Sequence, residues 1–259
     1  MANIESTRPG SFTWIELAAG DQHAAKPFYT SLFGWTIEDS PMGPNEYYTM
    51  FQLEGRNVGA AYTLREEQKA MHVPPHWDLY IATASADDTA KRATELGGKV
   101  LAGPFDVMTH GRMAVIQDPT GAVFCAWEAK THHGIAIRDQ HSSFCWADLN
   151  TPHQAEAAKF YCDLFGWTTT PGDTGYLHIK NGDDFIGGIP SAEQLNPHAP
   201  PHWLIYIQVD DCQLATTKAK ELGASIYFGP VTMETVGTFT VLADPQGAVS
   251  ALFQPAPRG

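Results

Sequence analysis

Phe28-Tyr29-Thr30-Ser31-Leu32-Phe33-Gly34-Trp35 returns as Phe160-Tyr161-Cys162-Asp163-Leu164-Phe165-Gly166-Trp167, a displacement of 132 residues. Trp14 and Leu17 recur at the same displacement as Trp146 and Leu149. Further along, Pro74-Pro75-His76-Trp77 recurs as Pro200-Pro201-His202-Trp203 and Asp118-Pro119 as Asp244-Pro245, both displaced by 126. The chain is a tandem duplication whose second copy lacks six residues between Trp167 and Pro200. An internal period is read before anything else, because each copy is one structural unit repeated. The 259 residues divide into a first domain at 1–130, a linker at 131–141 and a second domain at 142–259, each domain long enough to bury its own core.

Composition limits the function classes. A hydrophobic content of 43% with 17% charged residues is that of a globular protein, and no apolar run has the length of a membrane span. The start, Met1-Ala2-Asn3-Ile4-Glu5-Ser6, lacks the basic end and apolar stretch of a signal peptide, so a cytoplasmic location is expected. A net charge of −13, with 16 Lys and Arg in no cluster, argues against nucleic acid and anionic membranes as partners. Cys125, Cys145, Cys162 and Cys212 form no C-x-x-C pair and are expected as free thiols.

Taken in order, residues 11–17 alternate as a strand, with Phe12, Trp14 and Glu16 on one face. Asp21 caps a helix that carries Ala25, Phe28, Tyr29 and Leu32 at helical spacing, and Gly34 ends it. Residues 46–53 and 58–64 form a hairpin, and 65–75 a polar loop. From Trp77 the order repeats: strand 77–83, helix 87–96, and strands at 99–101, 112–117 and 122–127, the last two joined by the Asp118-Pro119-Thr120-Gly121 turn. Each copy is thus two βαβββ units, and the chain holds four. In the linker, His132 and His133 are adjacent; neighbouring side chains of an extended segment point apart, so a solvated pair is expected rather than a metal site.

Four βαβββ units in pairs, with the Phe-Tyr-x-x-Leu-Phe-Gly-Trp helix end and the Asp-Pro-x-Gly turn before the last strand, resemble the vicinal oxygen chelate superfamily. That group holds glyoxalases, extradiol dioxygenases and bleomycin and fosfomycin resistance proteins. Trp14-x-Glu16-Leu17 and the repeated Pro-Pro-His-Trp-x-x-Tyr are similar to its two-domain, glyoxalase-like actinobacterial type. The resemblance implies an α+β fold in which paired units curl two mixed sheets into cups, with a metal held by inward residues of particular strands. It places those metal-holding positions at Trp14, Asp78 and Cys125 in the first copy and at Trp146, Leu204 and Ala251 in the second. Catalytic zinc takes three protein ligands and non-haem iron two His and a carboxylate, so neither set is adequate. No cofactor is expected, and a divalent metal would require a shifted ligand set such as Glu16, His76 and Asp78.

On this register the inward residues are aromatic and acidic: Phe12, Trp14, Glu16, His76, Asp78, Tyr80, Cys125 and Trp127 in the first cup, and Phe144, Trp146, Asp148, His202, Leu204, Tyr206, Ala251 and Phe253 in the second. A desolvated Glu16 or Asp148 suits general base work on a carbonyl compound, with His76 as acid/base partner; equally, such carboxylates are hydrogen-bonded structural groups. His76 and His202 also fit a role in fixing their loops. Arg112 has no counterpart in the second copy, which carries Thr238 at that position, so Arg112 and Asp78 would mark the first cup as the more active if the cups differ. Two readings follow. One is a lyase-like or isomerase-like enzyme on a small carbonyl compound, with Glu16, His76 and Asp78 catalytic. The other is a protein sequestering an aromatic or cationic small molecule on Trp14, Tyr80, Trp146 and Tyr206. The chain can complete both cups alone, as a monomer, or pair as a homodimer.

Overall fold

The structure is a computed structural model and describes residues 8–44 and 46–257; the amino terminus on which the signal-peptide reading rests lies outside the described residues. In the first half, β1 (Phe12–Ala19) leads through α1 (Gln22–Phe33) to β2 (Thr36–Gly43), β3 (Glu46–Leu53) and β4 (Arg56–Thr63). A short α2 (Glu66–Ala70), unexpected within the polar loop, precedes β5 (His76–Ala82), α3 (Ala86–Glu95), β6 (Lys99–Val107), β7 (Gly111–Gln117) and β8 (Val123–Ala129). The second half repeats the order with β9 (Phe144–Asn150), α4 (Gln154–Phe165), β10 (Thr168–Pro171), β11 (Leu177–Asn181) and β12 (Asp184–Ile189). It closes with β13 (His202–Gln208), α5 (Cys212–Glu221), β14 (Ser225–Met233), β15 (Gly237–Ala243) and β16 (Val249–Pro255).

Each half forms one eight-stranded mixed sheet, ordered β2-β3-β4-β1-β5-β8-β7-β6 and β10-β11-β12-β9-β13-β16-β15-β14, which establishes the α+β class. Strands β1 and β9 lie centrally and are buried on both faces, one toward the helices and one toward the cup. The helix ends follow their sequence signals. Asp21 accepts from the amides of His23 and Ala24, and Gly34 adopts the left-handed conformation (φ 70°) that an L side chain resists. Strand β6 is longer than expected because Phe105, Asp106 and Val107 pair with β7 beyond a bulge around Gly103-Pro104.

One bulge corrects the inward set. The pairing of β1 with β5 shifts register between Phe12 and Trp14, so Trp14 faces Tyr80 while Phe12 faces Ile81. Strand β9 shifts in the same way between Trp146 and Phe144. A one-residue shift moves a side chain to the opposite face. Phe12 and Phe144 therefore leave the cups and meet each other edge to face at 6.2 Å, beside Trp167 and Trp203 at the seam between halves.

That seam explains the repeated motifs. Asp118 and Asp244, at the Asp-Pro turns, are buried, and each holds its own loop with one carboxylate oxygen. Oδ1 of Asp118 accepts from the amides of Thr120 (2.8 Å), Gly121 (2.8 Å) and Ala122 (3.1 Å). The other oxygen crosses the seam: Tyr161 donates to Asp118 Oδ2 at 3.1 Å and Tyr29 to Asp244 Oδ2 at 2.9 Å. Trp35 donates to the carbonyl of Ser142 and Trp167 to that of Gly10, so each half is also latched by the other's tryptophan. The linker is part of this frame: Ile135 and Ile137 are buried, and Ile135 N donates to Thr13 O at 2.7 Å.

Removing one hydroxyl from this seam should cost about 1–3 kcal/mol, because it leaves a buried carboxylate oxygen short of a donor. Urea unfolding of Tyr161→Phe, whose hydroxyl also accepts from Trp203 Nε1 (2.9 Å), should show the larger loss and Tyr29→Phe a comparable or smaller one. Unchanged midpoints in both variants would show that the crossing bonds contribute nothing.

Candidate functional site

The two cups are built from the same four groups. In the second, the Asp148 carboxylate accepts from Trp146 Nε1 (3.0 Å) and Tyr176 OH (2.6 Å) at Oδ1 and from Tyr206 OH (2.8 Å) at Oδ2. In the first, Tyr80 OH donates to Glu16 Oε2, and the Tyr48 hydroxyl also reaches that carboxyl. Register explains the correspondence: Glu16 lies beside Ala60 and Asp148 beside Gly188, the next strand out sets Met50 and His178 beside those two, and Tyr48 and Tyr176 each stand two residues earlier. A Cβ on Gly188 would collide with the Tyr176 hydroxyl, so glycine there lets that tyrosine reach Asp148. Tyr48 and Tyr176 were missed by the sequence reading. Their displacement is 128, inside the stretch where the six-residue loss blurs the repeat, although Tyr48 alternates correctly with Met50 in β3.

The carboxyls differ electrostatically. Burial, then the charge of Asp78, pushes Glu16 up to about 7, while the Tyr80 and Tyr48 hydroxyls and the charge of Arg65 oppose the rise. Burial also raises Asp148, opposed by Tyr176, Tyr206, Trp146 and the nearby His178. His76 stands 3.3 Å from Asp78; burial works against its protonation, but Asp78, the Pro74 carbonyl and Glu16 outweigh it and raise the imidazole to about 9. His202, with Asn150 Nδ2 at 3.2 Å in place of an acid, is lowered by burial. Both histidines use Nδ1 on a proline carbonyl at 2.8 Å, Pro74 or Pro200, which fixes their loops.

Of the expected site residues, the structure gathers Trp14, Glu16, His76, Asp78, Tyr80, Cys125 and Trp127 in the first cup, and Trp146, Asp148, His202 and Tyr206 in the second. Arg112 is not among them. It sits on the opposite face of β7 from Met113 and is held by Asp87, Nε to Oδ2 at 2.6 Å, so it cannot mark the first cup as active. Cys125 is buried and its thiol is pushed well up by burial and by Asp78 and Glu16, the reverse of a reactive thiolate. His132 is not solvated either: its ring meets Trp14 edge to face at 4.5 Å, and Trp127 Nε1 donates to its carbonyl at 3.0 Å.

Among the described residues, no three or more His, Cys, Asp or Glu side chains stand where they could hold a metal ion. Glu16 and Asp148 each accept from tyrosine hydroxyls, and tryptophan occupies the first-strand position in both cups. The side chains present do not fit the metal site that the fold's relatives carry.

The cups also differ in access. Trp14, Tyr80, Cys125 and Trp127 are buried, whereas Trp146, Tyr206, Phe239 and Phe253 are only half-buried. Rings continue outward from the second cup on two sides: Tyr206 to Phe239 (6.4 Å) to exposed Phe228 (5.7 Å), and Tyr176 to His178 (4.9 Å) to exposed Phe185 (5.4 Å).

The sequence profile of the Glyoxalase/Bleomycin resistance protein/Dioxygenase superfamily matches residues 11–126 and 143–251. The chain belongs to this superfamily. It is 36% identical over 256 residues to CFP32 of Mycobacterium tuberculosis, named only provisionally as a glyoxylase, covering 97% of both chains. It is 34% identical to the anthracycline biosynthesis protein DnrV of Streptomyces peucetius, covering 93% of this chain and 91% of that one. Among solved structures it is similar in fold to a Mn(II)-bound glyoxalase from Novosphingobium aromaticivorans, with TM-score 0.66, 19% identity and coverage of 95% and 82%. The 2,3-dioxygenase LapB from Pseudomonas sp. KL28 gives TM-score 0.65 at 12% identity, covering 98% and 94%. No helix among the described residues is long and apolar enough to cross a membrane.

The Glu16 carboxyl makes stability pH-dependent. Folded, it stays protonated to about 7; unfolded, only to its ordinary 4.5. The folded state thus binds more protons between these values, so the contribution is full below pH 4.5 and is lost as pH rises through 7, about 3 kcal/mol in all. Urea unfolding of wild type against Glu16→Gln at pH 4.5 and pH 8 should show wild type losing ground by roughly that amount. A pH-independent gap would place Glu16 at its ordinary value.

Proposed function

We propose that this protein binds a small aromatic molecule in its second cup without the metal triad of its metalloenzyme relatives. The observation that carries this reading is the pair of aromatic walls leading from solvent to a carboxylate already fixed by three donors. A carboxylate so pinned is poorly free to shuttle protons but keeps an acceptor position on Oδ2 for a ligand's N–H or O–H. Half-buried Trp146 and Tyr206 supply stacking surface, and Asp148 favours a cationic or hydrogen-bond-donating ligand. The likeness to anthracycline biosynthesis proteins supports a planar, fused-ring ligand class.

A second reading is favoured by one observation in the first cup: a buried Glu16 whose carboxyl changes charge near neutrality beside the His76–Asp78 pair. That arrangement suits proton transfer on a small carbonyl compound, in a lyase-like or isomerase-like reaction.

Titration with proflavine, a planar aromatic cation, should quench tryptophan fluorescence, and Trp146→Ala should weaken binding about tenfold, the scale of one lost stacking partner. Binding unaffected by Trp146→Ala would remove the second cup as the site. Elemental analysis of protein purified without chelators or affinity tags should find Zn, Ni, Fe, Mn and Co each far below one per chain; near-stoichiometric metal would overturn the metal-free reading.

A further inference from the structure

On the reading that the second cup is the ligand site, we propose that this cup takes a planar aromatic acid that also carries a hydroxyl. The hydroxyl donates to Asp148, and His178 and Lys180 on β11 hold the acidic group at the rim.

Strand register sets the two ends. Leu204, Asp148, Gly188 and His178 stand side by side across β13, β9, β12 and β11, so they form one row on the cup face. Gly188 has no side chain, and the Tyr176 hydroxyl lies over it in reaching Asp148. From Asp148 to His178 the row spans two strand spacings, roughly 10 Å, with the tyrosine ring as its floor. Two fused rings with a substituent at each end fit that length.

Alternation puts Tyr176, His178 and Lys180 on one face of β11, with Ile179 and Asn181 buried on the other. The bulge between β11 and β12 places its extra residue, Ile186, on β12, so this alternation is unbroken and Phe185 comes beside Lys180. His178 meets Tyr176 at 4.9 Å and Phe185 at 5.4 Å, and Lys180 Nζ stands over the Phe185 ring at 5.1 Å. Among the described residues, Lys180 forms no ion pair of the kind that occupies Lys26, Lys69, Lys130 and Lys159. Its charge is kept at the rim on an aromatic face.

The first copy supplies the contrast. At the displacement of 128 that relates Tyr48 to Tyr176, Met50 stands for His178 and Gln52 for Lys180. Both basic groups are therefore particular to the second cup, in a chain whose net charge is −13. His178 also lies near enough to the buried acid for its charge to oppose the rise of Asp148. The wall across the cup presents Phe239 and Phe228, so an anionic group has one favourable end.

The chemistry of the two ends selects the ligand. Asp148 already takes three donors and offers Oδ2 as an acceptor, so the group beside it must donate, as a phenol does. At the rim, an ammonium and an imidazole N–H both donate, which suits a carboxylate or another acidic oxygen.

The probes are 6-hydroxy-2-naphthoate and its methyl ester, which share a ring system and differ in charge, titrated calorimetrically into the full chain at neutral pH. The acid should bind about tenfold more tightly than the ester, the scale of one half-buried charge-assisted hydrogen bond. Lys180→Met should bring the acid down to about the ester's affinity, and Lys180→Arg, which retains the cation, should keep most of the preference. His178→Phe, which keeps the stacked ring, should remove part of it. Equal binding of acid and ester would overturn the proposal, as would a preference that survives Lys180→Met. Trp146→Ala separates these outcomes from the reading beneath them. If it weakens acid and ester alike, the second cup stands as the site and the ratio of the two affinities decides the ligand class; if it weakens neither, site and ligand class fall together.

Discussion

The reciprocal bonds from Tyr29 to Asp244 and from Tyr161 to Asp118 are the constraint from which the rest of the molecule follows. Each buried aspartate would be costly to desolvate without partners, and its own turn can occupy only one of its oxygens. The second oxygen is satisfied from the other half. The turn before the last strand of one sheet is thereby fixed to the first helix of the other, and the aromatic seam of Phe12, Phe144, Trp167 and Trp203 closes around the join. Both sheets are held from the helix side, which leaves the cups on their opposite faces outside the join.

On those faces the same four residue types give different chemistry because their surroundings differ. Asp148 gathers three donors and sits below half-buried rings. Glu16 is longer, lies opposite a second acid, Asp78, and is covered by buried aromatics, so its proton is retained to near-neutral pH. Leu204 in place of Asp78 removes the like charge from the second cup, and Asn150 there stands beside His202 where Asp78 stands beside His76. Small changes in charge placement have separated two halves of one design.

Much of this was legible in the sequence. The repeat, the caps at Asp21 and Gly34 and the Asp-Pro turns are local signals, and they fixed the α+β class and the two-domain plan. Trp14, Glu16, Asp78 and Tyr80 were correctly placed on one face because strand alternation holds between bulges. It failed at Phe12 and Phe144, where a bulge reverses the face without any mark in composition. Arg112 was misread because its charge suggested a site, while the partner that claims it, Asp87, is 25 residues away in sequence. The place of His132 is not legible in the sequence, because nothing local shows that the linker is stitched to β1 and to the β6–β7 turn.

The crossed tyrosines also bear on how such a duplicated chain can change. Neither half carries a complete set of partners for its own buried groups, so neither copy can be discarded or replaced independently of the other. The cups are under no comparable bond: no hydrogen bond links Glu16 to Asp148, and each rests on a frame secured elsewhere. Duplication joined in this way preserves the scaffold as a pair while releasing the two cups to diverge, one toward a buried, proton-holding interior and the other toward a more open aromatic trough.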